Sequence, residues 1–162
     1  MTGKDWIESV TDTLQAKIAK LERDEERLQT LRADVITTKA IMYDADKVQT
    51  SVSDDKVMQK YALMDEISRR MFKEMEDYNI FRASAIQRLH KLVKNPTLAD
   101  CLERRHIDFL TVTQIAQIEG VTEICIKKRF NKAYNLLNSI YVLEKIARSE
   151  ERREGKECRS RW

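Results

Sequence analysis

The sequence predicts an all-α protein: a long antiparallel, coiled-coil-like helical hairpin followed by a small helix-turn-helix domain. Three observations carry that reading. The 162 residues include only three Gly and one Pro, so little interrupts a helix. Charged residues make up 35% of the chain and aromatic residues 7%, which leaves an aliphatic core on strongly amphipathic helices. Apolar residues recur at helical spacing over two long stretches, each free of Gly and Pro.

The first helix is predicted over residues 5–42. Ile7, Leu14, Leu21, Leu28, Val35 and Met42 fall every seven positions, and Val10, Ile18 and Leu31 widen the stripe. A strict heptad of this kind packs its seam on another helix with left-handed supercoiling. Lys17, Asp24 and Thr38 stand at alternate seam positions, which argues against a simple two-stranded zipper. Residues 43–54 (YDADKVQTSVSD) are polar enough for a loop. Ser53 is a candidate N-cap for a second helix over 55–94, with Asp54 and Asp55 favourable in its first turn. Its stripe runs Val57, Tyr61, Met64, Ile67, Met71, Met75, Tyr78, Phe81, Ala85, Leu89, Leu92. Each helix would be about 57 Å long, and the matched lengths predict an antiparallel hairpin. The apolar edge at Val10, Ile18 and Leu31 would remain for dimerisation.

Asn95-Pro96 ends the second helix, because the residue before a proline is pushed out of the α region. Pro96 suits the first position of the next helix, predicted over 97–107 with Leu98, Cys101, Leu102 and Ile107 inward. Residues 113–137, TQIAQIEGVTEICIKKRFNKAYNLL, then read as a helix, a tight turn and a second helix with a basic face. Ile115, Ala116, Gly120, Val121 and Ile126 supply the apolar anchors, the small residue at the crossing and the turn glycine. Thr122 can cap the following helix. Lys127, Lys128, Arg129 and Lys132 follow within three turns, an arrangement suited to phosphates. Arg129 lies nearer the core than Lys128 by its helical angle. Arg104 and Arg105 read as surface charge. The last helix is expected to continue through Leu136, Leu137, Ile140, Tyr141, Leu143 and Ile146.

Several functions are excluded at this level. Cys101, Cys125 and Cys158 form no CxxC pair, and His90 and His106 are not spaced with them as metal ligands, so no disulfide, zinc or other metal is expected. No P-loop, GxSxG, HExxH or Rossmann pattern appears, so no catalytic residue, enzyme activity or cofactor is expected. No apolar run approaches a membrane span and the first residues lack a signal peptide, which points to a soluble cytoplasmic protein without membrane association. Residues 148–162 (RSEERREGKECRSRW) lose the apolar periodicity. They resemble a translated sequencing adapter, with Glu154 where that reading gives Val, so the natural C-terminus is expected to differ. This tail holds six Arg and Lys against four Glu, so the remainder carries a net of only +1 out of the chain's +3. Overall basicity therefore says nothing of DNA; only the local cluster does.

The order of features suggests a family: a charged long helix, a VQTS loop (Val48, Gln49, Thr50, Ser51), a DKV restart (Asp55, Lys56, Val57), a second long helix, the Asn95-Pro96 break, then LxxRxI and IAxxxGVT. It resembles the RinA/ArpU-type late transcriptional regulators of phages of Gram-positive bacteria, whose C-terminal part is similar to region four of bacterial sigma factors. The resemblance spans about residues 5–146. The elements divide the chain at 1–94 and 95–147; the resemblance implies a regulator of phage genes that binds double-stranded DNA and contacts host RNA polymerase. By position it implies DNA contact through Thr122, Glu123, Lys127, Lys128, Asn131 and Lys132. Ile124 and Cys125 stand where such helices usually carry polar base-reading groups, and Glu119 replaces an apolar residue usual before the turn glycine. Ile124, Cys125 and the VQTS loop are therefore candidate partner-binding residues. A second class of function fits the near-neutral body and the Ile124-Cys125 pair: an inhibitor that binds a host complex, such as a CRISPR-type defence effector or RNA polymerase. Gene position upstream of packaging genes would favour the activator.

Overall fold

A computed structural model describes the backbone of residues 2–44 and 52–159 and the side chains of residues 2–37 and 55–143. Among the described residues the secondary structure is helical throughout: α1 (Gly3–Asp44), α2 (Val52–Leu92), α3 (Pro96–His106), α4 (Val112–Glu119) and α5 (Glu123–Arg159). The long helices match the apolar periodicity closely, each within three residues of its expected ends. The VQTS positions Val48, Gln49, Thr50 and Ser51 lie outside the described residues.

The chain forms two compact units, Gln15–Phe81 and a second made of Met1–Leu14 with Arg82–Trp162. This grouping cuts through the two long helices and not at the Asn95-Pro96 break. The start of α1 belongs with the C-terminal helices.

In the first unit α1 and α2 run antiparallel, and cross-helix ion pairs set the register. Lys20 pairs with Glu74, Asp24 with Arg70 and Asp34 with Lys60. Four then ten residues forward along α1 are thus four then ten residues back along α2. Leu28, Val35, Val57 and Ile67 are buried between them. Asp24, a polar interruption of the seam, is buried too, and Arg70 grips both its oxygens at 2.9 and 2.7 Å. That bidentate bond holds the Asp24 carboxyl below its usual pKa. Tyr61 and Met75, expected in the α2 stripe, are 41% and 49% exposed. The seam instead passes through Lys60 and Glu74, both half-buried. Their stems cover apolar surface while their charged ends reach Asp34 and Lys20.

In the second unit, Asn95 is extended at φ −83° and ψ 112°, its side chain accepts from the Leu98 N–H, and Pro96 opens α3. Leu98, Cys101, Leu102 and Ile107 are buried, as their spacing requires. The connection to α4 places Phe109 at φ 57°, an uncommon conformation for a residue with a Cβ. The Leu110 N–H closes that turn on the Arg104 carbonyl at 2.9 Å. Thr111 caps α4 in a reciprocal box with Gln114.

Val10 is buried, and so does not offer the apolar edge expected for dimerisation; Trp6, absent from the expected stripe, is buried with it. The first turn of α1 packs on α5. Trp6 stacks on Tyr141 with ring centroids 6.1 Å apart, and the Lys4 N–H donates to Asn138 Oδ1 at 3.0 Å. Leu143, one of the apolar residues through which the last helix continues, is 65% exposed. The crossing needs a glycine: a Cβ on Gly3 would lie 2.5 Å from the Leu137 carbonyl carbon and 2.6 Å from its oxygen. Gly3→Ala is expected to destabilise the protein by about 1–3 kcal/mol despite alanine's better helix propensity. Thermal unfolding followed by circular dichroism checks this; an unchanged or higher midpoint means the two backbones do not approach this closely.

Candidate nucleic-acid interface

The site is built from the turn between α4 and α5. Gly120 adopts φ 64° and ψ 31°, the left-handed conformation that ends α4, and the Val121 N–H returns to the Ala116 carbonyl at 3.0 Å. A Cβ at Gly120 would meet nothing within 4 Å, so φ alone favours glycine there. Thr122 starts α5: its carbonyl accepts from the Cys125 and Ile126 N–H groups at 3.0 and 3.2 Å, and its hydroxyl lies 3.4 Å from the Cys125 nitrogen.

From that start the helix divides cleanly. Ile126, Phe130, Ala133 and Leu137 are buried, as are Ile115 and Ala116 of α4. Thr122, Glu123, Lys127, Lys128, Asn131 and Lys132 are all exposed, together with Ile124 and Cys125. Ile124, Lys128, Asn131 and Asn135 follow one another along one line of the helix, with Cys125 and Lys132 beside them.

The charges on this face are not equivalent. Glu123 Oε1 accepts from the Thr113 hydroxyl at 2.7 Å, which ties the start of α5 to α4, and Glu123 Oε2 lies 3.9 Å from Lys127. Lys128 and Lys132 have no ion-pair partner among the described residues. Arg129 is turned inward and bonds Glu119, which also accepts from Arg104 at 2.7 Å. The Glu119 side chain is only 14% exposed. The acid before the turn glycine is thus explained by two guanidinium groups, one from α3 and one from α5. Arg104 and Arg129 are held within this cluster. The sequence offered one hint, a carboxylate at an apolar position, but separations of 15 and 10 residues carry no helical signal. Cys101 is buried, and burial, with Glu119 adding, pushes its thiol up to about 11, whereas Cys125 is exposed.

His106 was also missed. It is buried at the end of α3, with Nδ1 2.9 Å from Thr11 Oγ1 and Nε2 2.6 Å from the Tyr134 hydroxyl. The Thr11 hydroxyl donates to the Ile7 carbonyl, so a consistent chain has Nδ1–H donating to Thr11 and Nε2 accepting from Tyr134. His106 is therefore assigned as neutral. Burial, and then the Arg105 charge, lower its pKa to about 4. Burial likewise raises the Tyr134 phenol.

Glu119→Ala leaves two partly buried guanidinium groups without their acceptor and is expected to cost about 2 kcal/mol, read from chemical unfolding. Only the unfolded chain takes up a proton at position 106 between the ordinary histidine pKa of 6.5 and about 4. Stability from His106 is therefore complete above that range and lost as pH falls through it, by about 3 kcal/mol. Melting midpoints from pH 7 to 4 should fall less steeply for His106→Gln; parallel profiles would show that the residue is not held neutral. The chain has no significant match among protein-family models, curated proteins or solved structures, so its functional reading rests on these residues.

Proposed function

We propose that the chain is a phage-encoded transcriptional regulator of the RinA/ArpU type, non-catalytic and acting in the host cytoplasm. In this reading α4, the Gly120 turn and α5 act as a helix-turn-helix on double-stranded DNA. The observation that carries it is the division of α5, whose basic residues Lys127, Lys128 and Lys132 stand in solvent while Ile126, Phe130 and Ala133 anchor the opposite face. Lys128 and Lys132 contact phosphates without first breaking an ion pair; Lys127 must leave Glu123. Asn131 supplies the amide suited to an adenine edge. Thr122 sits at the helix N-terminus, where backbone N–H groups face an anion. Host RNA polymerase and a second copy of the chain are the expected protein partners.

A second reading is an inhibitor of a host complex. Ile124 is 65% exposed and Ile118 59%, so the turn also carries apolar surface suited to a protein.

Electrophoretic mobility shift with the phage's own promoter region, at several salt concentrations, separates the two. Three lysine contacts predict that log K falls with log salt at a slope of about −3 on duplex DNA. Replacing Lys128 and Lys132 with alanine should flatten that slope by about 2 and weaken binding to all sequences alike. Asn131→Ala should relax sequence preference with little change in salt dependence. Absence of a shift even at low salt, with a host protein co-purifying, would favour the inhibitor.

A further inference from the structure

We propose that His90, Asp100 and Glu103 form a binding site for a divalent transition metal of the zinc class. The site shares no residue with the exposed face of α5 and does not depend on the DNA reading. His90 comes from the last turns of α2, and Asp100 and Glu103 lie one turn apart on α3. Their candidate ligand atoms all fall within 4.8 Å of one another. His90 Nε2 is 2.7 Å from Glu103 Oε2 and 3.8 Å from Asp100 Oδ1. Zinc bonds to imidazole and carboxylate at roughly 2.0–2.2 Å, which sets tetrahedral ligands about 3.4 Å apart. The two separations from His90 lie on either side of that spacing, so the ion asks for adjustment of the side chains.

The backbone beneath these donors is held fast. Leu89 and Val93 on one side, and Leu98, Ala99 and Leu102 on the other, are buried. Pro96 fixes the break between the helices. The core positions the donors, and His90 and Glu103 are also hydrogen-bonded to each other, a bond that the ion would replace.

Charge points the same way. Two carboxylates meet one imidazole, and neither Asp100 nor Glu103 is paired with a lysine or arginine among the described residues. Elsewhere in the fold, Asp24, Glu74, Asp108 and Glu119 each have such a cation. One neutral nitrogen with two carboxylate oxygens suits zinc, cobalt or nickel, whereas magnesium and calcium favour oxygen alone. All three side chains are half-exposed, so an ion enters from solvent, and three protein ligands leave a fourth position for water. Such an ion would staple α2 to α3 across the Asn95-Pro96 break.

The test uses the whole chain, freed of metal and titrated with Zn2+ and then with Co2+. One equivalent should bind and raise the melting midpoint, and the cobalt complex should lack a thiolate-to-cobalt charge-transfer band. His90→Ala and Glu103→Gln should each weaken binding roughly tenfold or more. Their metal-free melting curves check that the fold is retained. The Lys128→Ala, Lys132→Ala variant should bind metal normally, so failure here and failure of the DNA reading are separable. No stoichiometric binding, a thiolate band from the cysteines, or undiminished affinity in the His90→Ala, Glu103→Gln double variant would each overturn the assignment.

Discussion

The arrangement of the C-terminal helices rests on one partly buried carboxylate. Glu119 sits at the end of α4, one residue before the left-handed glycine, and receives Arg104 from α3 and Arg129 from α5. Apolar packing alone could tolerate sliding; a carboxylate gripped from two sides resists it. The cost of taking such a group out of water is offset only while both guanidinium groups stay in place. The angle between α4 and α5, and so the direction in which Lys128 and Lys132 point, is therefore coupled to α3. Thr113 on Glu123 adds a second polar tie at the start of the same helix.

That bracket also explains the uneven electrostatics of α5. Its first three turns carry four cations on paper. One is spent inside the fold and one is balanced by a neighbour four residues back, which leaves two lysines. On the proposed DNA reading, a face with two unpaired charges, an amide and two apolar side chains would have modest non-specific affinity, and its selectivity would come from contacts at close range.

What was legible in the sequence was what repeats. The helices at 5–42 and 55–94 emerge within three residues of their ends because apolar periodicity is local and uninterrupted. The cap at Thr122, the helix break at Asn95, the role of Pro96 and the left-handed Gly120 were readable for the same reason: each depends on the chemistry of one or two adjacent residues. The apolar stripe of α2 was only partly readable. Apolar spacing points to Tyr61 and Met75, yet the seam takes Lys60 and Glu74, whose partners Asp34 and Lys20 lie on another helix. The Glu119 bracket and the His106 chain from Thr11 to Tyr134 were invisible on the same ground, since each joins residues far apart in sequence. The burial of Trp6 and Val10 follows from the crossing at Gly3, which no periodicity announces.

The polar register between α1 and α2 has a consequence for how such a chain can change length over time. Because Asp24 and Asp34 each meet a fixed counterpart, a single codon gained or lost between residues 24 and 34, or between 60 and 70, would rotate one pair by 100° relative to the other and break one of them. Length variants that survive should therefore come as matched heptads on both arms at once, or be confined to residues 45–51 between them.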